Sequence, residues 1–120
     1  IIGGIIEPDE KPESAANREV EEEMGLKCDE MHFLGRFRTD VNRGMGWVNS
    51  FLAAHCLPVT RQFSPDEGDQ VGTADVERQD LIKMSIDDIR KAVRQSEFIE
   101  VQWSNTVALA LLHPELSGLD

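Results

Sequence analysis

The chain has 120 residues, 40% of them hydrophobic, and a formal net charge of −11, enough for one globular domain with a modest core. That excess of acid disfavours a nucleic-acid groove, which needs a basic surface; a small phosphorylated ligand stays compatible, because a bound cation reverses the field locally. No apolar run approaches the ~18 residues of a membrane span, and Cys28 and Cys56, with no CxxC spacing, read as reduced thiols in a cytosolic setting.

Taken in order, Ile1-Ile2 reads as the end of a strand broken by Gly3-Gly4. The absence of an initiator Met suggests entry midway through a longer protein, so any targeting signal upstream would be invisible. Pro12 suits the first turn of a helix over roughly Glu13 to Met24, with Ala16, Val20 and Met24 facing the core and Gly25 as a left-handed cap. Lys27 to Glu30 is a polar connection to a strand around Met31 to Arg38. Thr39 to Gly46 is turn-rich and closes a hairpin with a second, more apolar strand, Trp47 to Leu57. Pro58 to Val76 is a long acidic loop, a length that usually marks function or disorder. Asp80 to Met84 reads as a short strand. Ser85-Ile86-Asp87-Asp88 is a capping box that opens a helix to about Gln95, and a last helix covers roughly Ser104 to Leu112 and stops near Pro114.

The first helix poses an electrostatic problem. Glu19, Glu22 and Glu23 stand at i,i+3 and i,i+4, where like charges repel across one face. A divalent cation is the simplest neutraliser, and Mg²⁺ prefers such oxygen ligands together with substrate phosphates. A plain solvated acidic face would explain the charge. It would not explain the spacing of Gly4, Glu10, Arg18-Glu19-Val20, Glu22-Glu23 and Gly25-Leu26.

That spaced pattern, from Gly4 to Leu26, resembles the Nudix box of the Nudix hydrolases, with every fixed position filled. The resemblance implies an α/β protein, an α/β/α sandwich around a mixed sheet. Its strands before the box are missing here, so residues 1–120 read as one partial domain. It implies metal ligation of Mg²⁺, with Mn²⁺ as the alternative, by Glu19, Glu22, Glu23 and the backbone carbonyl of Gly3. It implies that Arg18 orients Glu19 and ties helix to loop, with Glu10 a helper near the metal or a loop brace. Glu13 and Glu21 lie outside the fixed positions and read as solvated acids.

The stretch Glu77 to Ser85 is similar to one in ADP-ribose and ADP-sugar pyrophosphatases. The resemblance implies that an acid there, Glu77 or Asp75, serves the metals or activates the water; the loop of about 58–77 would deliver it, ahead of C-terminal helices at about 86–112. Asp66, Glu67 and Asp69 share that loop and read as solvating acids. Arg38, Arg43 and Trp47 are candidates for contacting phosphate and stacking on a base or ribose, with a buried core role for Trp47 and a plain turn role for Arg43 as the alternatives. His32, His55 and His113 lack metal-ligand spacing and read as structural, and Trp103 as packing the last helix on the sheet. The implied activity is Mg²⁺-dependent hydrolysis of a nucleoside diphosphate derivative, an ADP-ribose or ADP-sugar first, giving AMP and a sugar phosphate. Alternatives are hydrolysis of NTPs, dinucleotide polyphosphates or RNA caps, and a nucleotide-binding module without turnover. The implied partner is a small nucleotide-derived diphosphate in a cytoplasmic setting, with no membrane, nucleic acid disfavoured, and a homodimer formed through regions upstream of Ile1.

Overall fold

The computed structural model describes residues 1–40, 45–59 and 81–118. The elements are α1 (Pro12–Met24), β1 (Leu26–Asp40), β2 (Met45–Pro58), α2 (Ile86–Arg94), α3 (Val101–Leu112) and α4 (Pro114–Ser117). Among the described residues the strands form a two-stranded sheet, β1 beside β2. The hairpin passes through two compact units, one of Ile2–Met31 with Ala53–Ile82, the other of Ile1, His32–Leu52 and Lys83–Asp120.

In the first unit α1 starts with proline at its first turn and ends at Gly25, whose φ of 65° lets its N–H reach the Glu21 carbonyl. A side chain there would be strained, which is why the helix stops at this residue. Ala15 and Val20 are buried, while Ala16 and Met24 are half-buried, so the inward face is rotated slightly from the i,i+4 series starting at Ala16. Gly25 accepts a hydrogen bond from the Val59 N–H at 2.9 Å. β1 therefore begins directly after the cap, at Leu26, and the polar Lys27–Glu30 stretch is strand rather than connection. Ladder bonds to β2 override its polar composition, as they do on a solvated sheet edge.

The same register puts Cys28 against Cys56, and the two are joined in a disulfide with Cα atoms 3.9 Å apart. The expectation of reduced thiols is corrected. Two cysteines 28 residues apart carry no pairing signal until strand register brings them together. Ile1-Ile2, expected as a strand end, has no regular structure, and neither does Leu81–Met84, four of the five residues expected as a short strand. No ladder partner is present for either among the described residues.

In the second unit Phe33 meets Phe51 across the hairpin with ring centroids 5.4 Å apart. Ser50, 3% exposed, shares a 2.7 Å hydrogen bond with Thr106 on α3, so the buried hydroxyl is satisfied. Ser85 caps α2 by accepting from the Asp88 N–H, and Gln95 follows the helix as its C-cap. α3 starts at Val101, three residues before the expected Ser104, with Glu100 as an N-cap that makes no side-chain bond. The early start leaves no capping signature to read in the sequence. Trp103, expected against the sheet, is 42% exposed. His113 ends α3 and caps α4 through Nδ1, and its ring lies 4.4 Å from that of His32.

Candidate active site

The acidic cluster is built from a turn, a helix and one arginine, all within the first unit. Glu7-Pro8-Asp9-Glu10 forms a turn closed by the Glu10 N–H on the Glu7 carbonyl, with Pro8 second and Asp9 third at φ 63°. Proline second and a positive φ third is type II turn chemistry. The Glu7 N–H also donates to Glu10 Oε1, so the carboxylate folds back over its own turn and faces α1.

Arg18 enters from the helix. Its Nε donates to Glu10 Oε2 at 2.9 Å and its Nη2 to Oε1 at 3.1 Å, a two-pronged pair. Nη1 donates to Glu19 Oε1 at 2.9 Å and to Glu22 Oε2 at 3.2 Å. Nη2 also reaches the Ile5 carbonyl at 3.0 Å. A planar fork of five N–H donors suits this task, and a lysine ammonium would not reproduce it. The hydrogen bonds from Arg18, then that from the Glu7 N–H, hold the Glu10 carboxyl below the usual carboxylate range. Glu10, first, and Glu19 in turn raise the affinity of the Arg18 guanidinium for its proton. The guanidinium is thus permanently charged at the middle of the acids.

Arg18 occupies one oxygen each of Glu19 and Glu22 and leaves the other without a partner among the described residues. Glu23 is half-buried and has no ion-pair or hydrogen-bond partner among the described residues. The backbone before the turn runs against the same cluster: a Cβ at Gly4 would collide with the Glu19 side chain. Glycine is needed there for close approach. The donors are all oxygen, the ligand type that a hard divalent cation such as Mg²⁺ takes, but the carboxylate oxygens of Glu19, Glu22 and Glu23 do not all lie within 4.8 Å of one another.

Elsewhere the sequence candidates divide. Arg38 and Trp47 lie together in the second unit, the Arg38 Cζ 5.1 Å from the Trp47 ring centroid. Arg36, which sequence reasoning passed over, is closer, at 4.1 Å. Its signal was available, since residues two apart on a strand share a face. Arg43, Asp75 and Glu77 lie outside the described residues. His32 on β1 pairs with Glu115 on α4 at 3.5 Å, and His55 on β2 with Glu30 on β1 at 3.7 Å, each a contact between different elements.

No helix among the described residues is long and apolar enough to cross a membrane. A family model described as the NUDIX domain matches residues 1–102, a span containing the acidic cluster, the hairpin and α2. No curated protein and no solved structure matches the chain.

Proposed function

The chain belongs to the Nudix family and is thereby a pyrophosphohydrolase acting on acid anhydrides of nucleoside diphosphates linked to another moiety; from that premise we propose that its substrate is ADP-ribose or an ADP-sugar, split to AMP and a sugar phosphate. The observation that supports the hydrolytic chemistry is the Arg18 cluster, in which one guanidinium aligns the carboxylates of Glu10, Glu19 and Glu22 and leaves one oxygen each of Glu19 and Glu22 open.

In this reading Glu19, Glu22, Glu23 and the Gly3 carbonyl hold Mg²⁺, or Mn²⁺ in its place. The metal, when bound, neutralises charge on the phosphoryl oxygens as water attacks phosphorus in line. Arg18 keeps Glu19 and Glu22 from turning into solvent, and Glu10 anchors Arg18 to the turn. Glu77 or Asp75 takes the proton of the attacking water. Arg38, Arg43 and Trp47 contact the nucleotide. The choice of an ADP-linked substrate rests on the likeness of Glu77–Ser85 to the ADP-ribose and ADP-sugar enzymes. The α/β/α sandwich with a mixed sheet, and a homodimer, are further parts of the proposal. With Cys28 bonded to Cys56, the thiol argument for a cytoplasmic setting falls away.

The test is turnover with Mg²⁺ or Mn²⁺ on a panel of ADP-ribose, ADP-sugars, NTPs, dinucleotide polyphosphates and capped RNA. AMP and a sugar phosphate from the first two, faster than product from the rest, is the expected result. A preference for NTPs, dinucleotides or caps would replace the substrate, and nucleotide binding without any product would favour a sensing module. Glu23→Gln should lower metal-dependent kcat by more than the roughly 10–100-fold that losing a support of a metal ligand costs. Unchanged turnover in that variant would remove Glu23 from the ligand set.

A further inference from the structure

The hairpin carries a second, oppositely charged cluster. Arg36 and Arg38 both lie over the ring of Trp47, with Cζ 4.1 Å and 5.1 Å from its centroid. All three side chains are exposed, Trp47 at 48%. Neither guanidinium has a hydrogen bond or ion pair among the described residues. That is unusual for a chain with 23 Asp and Glu against 12 Lys and Arg, where a carboxylate partner is the statistical default. Two like charges on one strand face repel, and the aromatic face they share is what offsets this directly.

Cation–π contact uses the flat face of a guanidinium. Stacked in that way, a guanidinium keeps its N–H donors, which lie in the plane of the group, free for a ligand. Contact with the indole also limits the rotamers each arginine can sample, so the entropy of ordering a long side chain is partly removed before any ligand arrives. A pre-oriented pair of forks matches the oxygens of a phosphate group better than a point charge does. We infer that Arg36, Arg38 and Trp47 form a binding site for the phosphate oxyanions of a small nucleotide, with the indole orienting the two guanidiniums. This adds Arg36, and it makes Trp47 a support for the arginines instead of a bare stacking surface. The site stands independently of the hydrolase reading, because its occupancy is measured without metal or turnover.

The anion has two sources: the phosphates of the hydrolysed substrate, or those of a separate nucleotide. Calorimetric titration of the full chain with inorganic pyrophosphate and with AMP, at low salt and without divalent metal, tests the site. Saturable binding is expected in the unmodified protein. Arg36→Ala and Arg38→Ala should each weaken Kd about tenfold, the loss of a charge-assisted contact. Arg36→Lys, which keeps the charge and loses the fork, should fall between. Melting temperatures should not move, since all three groups are exposed. No saturable binding in the unmodified protein, or a Kd within twofold of it in Arg36→Ala, overturns the inference. With Mg²⁺ and ADP-ribose, a raised KM at constant kcat in Arg36→Ala identifies the anion as the substrate's own. Lost pyrophosphate binding with unchanged KM identifies a second nucleotide. Binding without turnover in the unmodified protein would defeat the hydrolase reading alone.

Discussion

Arg18 does two jobs with one side chain: it neutralises the carboxylates that make α1 repel itself, and it fixes the turn that carries Glu10. The pairing was legible from sequence only in part. The box spacing pointed Arg18 at Glu19, but the two-pronged bond to Glu10 depends on a turn whose third residue, Asp9, takes a positive φ. Because Arg18 and the Glu7 N–H hold the Glu10 carboxyl below its ordinary value of 4.5, the stabilisation from its charge is complete above that value. It is lost as pH falls below 4.5 and through the depressed folded value. The melting-temperature gap between the unmodified protein and Glu10→Gln should therefore be level from neutral pH down to about 4.5 and close below it. A gap that widens with acid would mean that Arg18 is not the cause.

Among the elements, α1 and α2 announced themselves through Pro12, Gly25 and Ser85, residues whose local chemistry dictates where a helix starts or stops. The C-terminus of α2 is less conventional. The Glu97 N–H bonds the Ala92 carbonyl and the Ser96 N–H bonds the Val93 carbonyl, the Schellman pattern, yet the left-handed position is Ser96 at φ 58°. A non-glycine side chain there costs on the order of 1 kcal/mol. Ser96→Gly should raise stability to chemical denaturation by up to about 1 kcal/mol, with no change in ligand binding. A loss of stability would show that the Ser96 side chain contributes something the backbone geometry does not reveal. α3 and the polar start of β1 were misplaced because neither carries such a signal: α3 has no side-chain cap, and Lys27–Glu30 is strand by virtue of its ladder partner.

For the molecule as a whole, the buried apolar residues among those described are Ala15, Val20 and Ala92, and no large side chain there is fully buried. Hydrophobic burial is thin among the described residues, which raises the weight of the covalent link between Cys28 and Cys56. Closing a separation of 28 residues should contribute about 3–4 kcal/mol by restricting the unfolded chain. Treatment with a dithiol reductant, or the paired change Cys28→Ser with Cys56→Ser, should lower stability to urea by up to that amount; a shift below about 0.5 kcal/mol would show that the link constrains little. The sequence by itself determined the acidic cluster, since Arg18, Glu19, Glu22 and Glu23 all lie within six residues of one helix, where spacing is geometry. Only the tertiary structure decided what depends on strand register: the Cys28–Cys56 bond, and the meeting of Arg36 and Arg38 with Trp47. Register is a relation between two segments, and no local pattern in either one encodes it.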